Sequence, residues 1–206
     1  MKINYINNTN FTAKEISSTK VKHLENNQYV DKNVNFLELE KDSNFDKKLT
    51  YDLMQDWDTT VTRDYYKSFK DYIDSRSTQY YVVTYQNDKF EKLDKNKVLS
   101  IVAMSDMKED KSYFIKYLQT NPKYIKKQKE KSYYKALFDF FFKRNDIDKD
   151  REYSNIGSGT IKTIISHFKP KKIELISFFS AINFYKKLGF KCVEKDDKTV
   201  MQWTED

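Results

Sequence analysis

Apolar residues along the chain follow two rhythms, one of three and four residues and one of two, and these separate helices from strands. Residues 48–57 carry Leu49, Leu53, Met54 and Trp57 on one side of a helix, and residues 63–74 carry Tyr65, Tyr66, Phe69, Tyr72 and Ile73 at the same spacing. Both segments are amphipathic and predict helices with one face on a core. Strands are predicted at 34–40, 80–85, 97–104 and 113–119, with polar turns at 86–94 and 108–111. The run at 97–104 is apolar on both faces, through Leu99, Ile101 and Ala103 on one and Val98, Val102 and Met104 on the other, which predicts a central strand. Residues 1–33 are polar and asparagine-rich and yield a single strand candidate, at 2–6.

Beyond Pro122 a lysine-rich run, 123–135, flows into 133–142, where Tyr133, Leu137, Phe140 and Phe141 form one helical stripe and Tyr134, Phe138 and Phe142 a second. One stripe suffices for packing on a domain. Two are accounted for by a helix wrapped within its own domain, or by one held under a lid or against a second subunit of a homodimer. After a charged loop at 145–155 the last third alternates: helix 159–168, strand 172–178, helix 180–188, and a hairpin of 190–194 and 199–203 turned around 195–198. Strands and helices in this order, beside antiparallel hairpins, predict an α+β fold with a mixed sheet and helices on its faces. A chain of 206 residues without internal repeats is expected to form one domain, 1–206.

Lysine and arginine number 38 against 31 acidic residues, a net charge of +7. That excess suits an anionic partner such as a nucleic acid, a nucleotide or a phosphorylated cofactor. Lysine, asparagine, isoleucine, tyrosine and phenylalanine are all abundant, however, as AT-rich coding alone would produce, so a solvated lysine-rich surface is the simpler account. The aromatic content of 16% argues against a largely disordered chain. No apolar stretch approaches the roughly twenty residues needed to cross a bilayer, and residues 1–10 lack the apolar core of a signal peptide, so no membrane association and a cytoplasmic location are expected. The lone Cys192 excludes an internal disulfide and reads as a small buried apolar residue. His23 and His167 show no zinc-ligand spacing, so no metal is expected, and His167 reads as a cation at the end of its helix. There is neither a Gly-x-Ser-x-Gly elbow nor a Walker-type Gly-Lys-Ser/Thr.

Glycine supplies the sharper signal. The chain has three, where a soluble protein of this length carries roughly fourteen. Two of them stand in Asn155-Ile156-Gly157-Ser158-Gly159-Thr160, just before Ile161, Ile164 and Ile165 mark the buried face of a helix. Small residues there leave backbone N–H groups able to converge on an anion at the positive end of a helix, although the same pattern also serves as a flexible lead-in to a helix. The third, Gly189, follows Ala181, Phe184, Tyr185 and Leu188 on one helical stripe and precedes Phe190, as a helix-capping glycine does.

Together these segments resemble the GNAT acyltransferase superfamily, in which a Gly-x-Gly phosphate loop and helix are followed by a strand and then a helix reading Ala-x-x-Phe-Tyr-x-x-x-Gly-Phe. Upstream, Tyr117 to Tyr124 look like the end of the family's fourth strand and its Pro-x-Tyr. The chain departs from the pattern by an insertion of about thirty residues, 125–153, by Ser154 where the family has Arg or Gln, and by Phe178 where an asparagine often contacts the pantetheine arm. The match runs from about 113 to 203 and is only topological before that.

The resemblance implies a mostly antiparallel mixed sheet, flanked by helices and splayed between its fourth and fifth strands, with acetyl-CoA or another acyl-CoA entering at the splay. It implies that the pyrophosphate sits on the main chain of Ser154, Asn155, Ile156, Gly157, Ser158, Gly159 and Thr160, and that pantetheine runs along Leu118, Gln119 and Thr120. Those backbone groups would polarise the thioester carbonyl as charge develops on its oxygen. A deprotonated primary amine would attack directly, and Tyr185, a phenol near pKa 10, is the candidate acid for the departing thiolate. Glu40, Asp106 and Glu174 are equal candidates for the base. The acceptor site is expected to be lined or covered by Tyr65, Tyr66, Tyr72 and residues 123–142, whose lysines favour an acidic acceptor or one carried on RNA, such as an aminoacyl-tRNA. The alternative is a GNAT scaffold that has lost turnover and binds nucleic acid through the basic insert, with Tyr124, Tyr133 and Tyr134 stacking on bases.

Overall fold

The computed structural model describes residues 13–71, 77–88, 90, 92–107, 111–125, 151–193 and 199–205. The strand expected at 2–6 and the helix expected at 133–142 lie outside them. Among the described residues, nine strands form one sheet in the order β6-β1-β2-β3-β4-β5-β7-β9-β8. They are β1 (Lys14–Glu25), β2 (Gln28–Glu38), β3 (Thr78–Thr84), β4 (Val98–Asp106), β5 (Ser112–Thr120), β6 (Tyr153–Ser154), β7 (Lys172–Ile176), β8 (Lys191–Cys192) and β9 (Val200–Thr204). Every neighbouring pair is antiparallel except β5 and β7. Helices α1 (Asn44–Trp57) and α2 (Thr60–Lys70) cover one face, and α3 (Ile156–Phe168) and α4 (Ile182–Lys186) the other. The fold is the mixed, mostly antiparallel α+β architecture expected from the resemblance. Among the described residues, no helix is long and apolar enough to cross a membrane.

The N-terminal third corrects the sequence reading. Residues 14–25 form a twelve-residue strand that pairs along β2, and the turn between them is Asn26-Asn27, with φ of 48° and 63°. Asparagine tolerates this left-handed conformation, and two such residues in succession match the twist of a two-residue hairpin. The strand was hidden because it is nearly all polar. Only Thr19 and Val21 along it are fully buried.

Helix α1 starts where Ser43 accepts from the Asp46 N–H, and α2 where Thr59 and Thr62 cap each other reciprocally. The central strand β4 is buried along both faces, as expected, but its alternation slips. Val83 and Thr84 pair with Ser100 and Val98, so Leu99 is the extra residue of a bulge. Leu99 therefore joins Val102 and Met104 in the core beneath α3, and Val98 joins Ile101 and Ala103 in the core beneath α1 and α2.

Asp46 is a buried carboxylate whose oxygen accepts from the Glu40 N–H at 2.8 Å. Loss of hydration raises its pKa to about 6, against the lowering effect of that bond and with a further rise from the Glu40 charge. The folded state thus holds this proton more tightly than the unfolded chain. Stability from Asp46 is complete below about pH 4 and is lost as pH rises through 6. Asp46→Asn keeps an acceptor oxygen without the charge. We expect it to be more stable than wild type by about 1–3 kcal/mol at pH 7.5, with the gain vanishing near pH 4, in urea unfolding at the two pH values. An equal loss at both would contradict this.

Candidate active site

Strands β5 and β7 run parallel from Ser112 and Lys172 only as far as Ile115 and Leu175. Beyond that point β5 continues to Thr120 on the edge of β4, whereas β7 stays with β9 and ends at Ile176. The two strands part, and a cleft of about 1060 Å³ opens between them. A second bulge lies at its start. Ala103 and Met104 of β4 face Tyr117 and Ile115, leaving Lys116 unpaired. Both Lys116 and Tyr117 consequently line the cleft from the α2 side, and Leu118 returns to the α3 side.

At one mouth stands the first turn of α3, which begins three residues earlier than the sequence suggested. Asn155, at φ 57°, leads into Ile156, and the Gly159 N–H already donates to the Asn155 carbonyl at 2.8 Å. The N–H groups of Ile156, Gly157 and Ser158 precede that first helical bond and receive no capping side chain. These residues line the cleft with Ser154 and Asn155, and Arg151 and Lys187 bring positive charge to its wall. Arg151 is anchored by its Nη1 donating to the Tyr124 carbonyl at 3.1 Å. Three donors at the positive end of a thirteen-residue helix, in a cleft that two cations also line, can donate to an anion such as a phosphate.

Gly159 and Thr160 do not belong to this receptor. A Cβ on Gly159 would overlap the carbonyl oxygen of Lys20 and lie 3.1 Å from Thr19 Cγ2, so the residue is small because α3 lies directly on the backbone of β1. The Thr160 hydroxyl is buried, donating to the Ile156 carbonyl at 2.9 Å and contacting Ser100 Oγ at 3.2 Å. A Cβ on Gly157 would meet the tip of the Phe184 ring at 3.2 Å and Thr120 Oγ1 at 3.4 Å, inside the cleft.

Along the wall run Leu118, Gln119 and Thr120 of β5, opposite Leu175, Ile176, Ser177 and Phe178. Gln119 donates its side-chain amide to the Thr120 carbonyl at 2.7 Å. Phe178 is 68% exposed at the rim. Tyr185 also lines the cleft, and its position is fixed by the helix end. The Phe190 N–H donates to the Tyr185 carbonyl at 3.1 Å, the Gly189 N–H to Lys186 at 3.1 Å, and the Phe190 and Tyr185 rings lie 5.5 Å apart. With Gly189 at φ 91°, this is a Schellman cap with its hydrophobic contact. Burial pushes the Tyr185 phenol up to about 12, so it keeps its proton more firmly than a free tyrosine.

The other mouth opens on α2. Thr60, Val61 and Asp64, one turn apart, line the cleft there. Their role escaped the sequence reading, because they lie beside the apolar stripe of α2 and only the parting of the strands brings them to the cleft. The expected acceptor-site tyrosines sit elsewhere. Tyr65 is in the core with its hydroxyl donating to the Tyr81 carbonyl at 3.2 Å, Tyr66 packs edge-on against Tyr51, and Tyr72 lies outside the described residues. Glu40, Asp106 and Glu174 do not line the cleft either, and Glu174 pairs with Lys172 at 3.5 Å. Residues 126–150 are likewise outside the described residues; the chain leaves at Ile125 and returns at Arg151, both on the cleft wall.

No protein-family model matches the chain, and no curated protein matches it in sequence. Its structure is similar to those of Tetrahymena GCN5, at 14% identity and a TM-score of 0.46 over 82% of this chain and 94% of that one. It is also similar to the N-acetyltransferase PseH of Campylobacter jejuni, at 13% identity, a TM-score of 0.43 and coverages of 84% and 99%. An acetyltransferase of Streptococcus agalactiae is similar at 16% identity, a TM-score of 0.42 and coverages of 82% and 95%.

The two glycines of α3 are separable. Gly159→Ala should cost about 1–3 kcal/mol in chemical denaturation by forcing α3 off β1. Gly157→Ala, where a ring tip can give way, should cost less than half as much. A reversed order would contradict the packing described for β1.

Proposed function

We propose that the protein transfers an acyl group, acetyl in the simplest case, from an acyl-CoA to a primary amine. The observation that supports this most is the cleft passing between β5 and β7, with helix amides that no described residue pairs at one mouth and a separate approach along α2 at the other. A donor with a long phosphorylated tail and a compact acceptor can enter such a passage from opposite ends. Acetyl-CoA supplies a thioester already activated toward amines.

The chain's own residues have definite tasks in this reading. The N–H groups of Ile156, Gly157 and Ser158, with Arg151 and Lys187, would hold the pyrophosphate, taking over from the arginine or glutamine that Ser154 replaces. Leu118, Gln119 and Thr120 present a strand edge that β7 has left, where a pantetheine arm would find main-chain partners and the thioester carbonyl a donor. No enzyme nucleophile is needed, and neither Cys192, His23 nor His167 lines the cleft. Tyr185 donates a hydrogen bond toward the sulfur as negative charge gathers there. At about 12 its phenol is a weaker acid than the free side chain, so it stays protonated across the working pH range and passes on a proton only as another arrives from the amine nitrogen.

The test is thiol release from acetyl-CoA across a panel of primary amines. Turnover is expected with at least one amine, and Tyr185→Phe should lower kcat by about a hundredfold while leaving acetyl-CoA affinity within twofold. Absence of any amine-dependent thiol release would overturn the proposed activity. A kcat unchanged in Tyr185→Phe would remove that residue from it.

A further inference from the structure

We propose that Asp64 selects the acceptor, its carboxylate taking a second cationic group of the substrate, so that the acceptor is a diamine or longer oligoamine. This rests on the acyl-transfer reading above. The α2 mouth of the cleft continues into a smaller cavity of about 260 Å³, lined by Asp64, Lys67, Ser68, Asp71, Lys116 and Tyr117. Asp64, Lys116 and Tyr117 line both cavities and so stand at their junction. Among the described residues lining the main cleft, Asp64 is the only carboxylate. It is half-buried, and it forms no ion pair or hydrogen bond with another described residue.

The charges around it sharpen the assignment. Lys116 shares the junction with Asp64, but its ammonium is turned to β3, where it donates to Thr78 Oγ1 at 2.9 Å. Lys67 is exposed on α2, and Asp71 ends that helix. Tyr117 lies close enough to Asp64 that the carboxylate, after burial, is the second cause of its raised phenol pKa. A half-buried carboxylate beside an aromatic ring, with no cation paired to it among the described residues, suits an alkylammonium. The charge it binds does not belong to the reacting nitrogen. That nitrogen must reach the β5 edge uncharged, and a neighbouring carboxylate favours the protonated form of an amine. The cation on Asp64 is therefore a second one on the same molecule, with the connecting chain lying across the junction.

The test is calorimetric titration of the full-length protein, with and without saturating CoA, by 1,4-diaminobutane and by butylamine. Wild type should bind the diamine more tightly than butylamine, whose one ammonium can reach Asp64 but leaves the β5 edge empty, and Asp64→Asn should weaken both about tenfold while CoA affinity stays within twofold. Equal affinity for the two amines, no binding of the diamine, or affinities unchanged in Asp64→Asn would each overturn the assignment. Failure of CoA itself to bind would instead overturn the acyl-transfer reading, and the titrations without CoA would still decide the role of Asp64.

Discussion

The site exists because one pair of strands cannot stay together. β5 is committed to β4 along its whole length, up to Ser100 and Thr120, and β7 is committed to β9 from Lys172 to Ile176. The ladder that joins the two halves of the sheet has four residue pairs and ends at Ile115 and Leu175. A buried strand edge without partners is costly, yet here it faces a cleft open to water and ligand, where its backbone groups remain satisfiable. The bulge at Lys116 turns the same stretch of β5 so that side chains from both cores reach the opening. The cleft thereby connects the two faces of the sheet, as the proposed reaction between one long and one short substrate would require.

The elements around the opening are held by contacts that leave little freedom. Helix α3 lies against the backbone of β1 through Gly159, and Thr160 ties it to Ser100 of β4, which fixes where the first-turn amides point. The β1–β2 hairpin and the pairing of His23 with Tyr153 then support the chain just before that turn. Tyr153 is packed among Tyr85, Tyr124 and His23, so the return of the chain at Arg151 is anchored by aromatic contacts. On the other side of the opening, the Schellman cap at Gly189 sets Tyr185.

How far this was legible in the sequence differs from residue to residue. Periodicity marked α1, α2, β3, β4, β5, β7 and the closing hairpin, because each buries an apolar face of regular spacing. It missed β1, whose residues are mostly polar and whose two asparagines at the turn were the readable sign. It placed Leu99 on the wrong face, since a bulge shifts alternation without altering composition. The scarcity of glycine pointed to a segment that reaches the cleft, but Gly159 answers to a neighbouring strand and, of the two glycines there, Gly157 alone stands in the cleft. Asp64 could not be found from spacing. It becomes part of the site through the separation of two strands distant in sequence, which no local pattern records.

The central claim is that the opening ends on main-chain donors that hold the diphosphate of an acyl-CoA. Amide resonances of the ¹⁵N-labelled protein, followed during titration with acetyl-CoA, test this directly. The largest shifts should fall on Ile156, Gly157 and Ser158, with Gly159 and Thr160, already bonded within α3, moving less. Shifts absent from that first turn while acetyl-CoA saturates another surface would contradict the account.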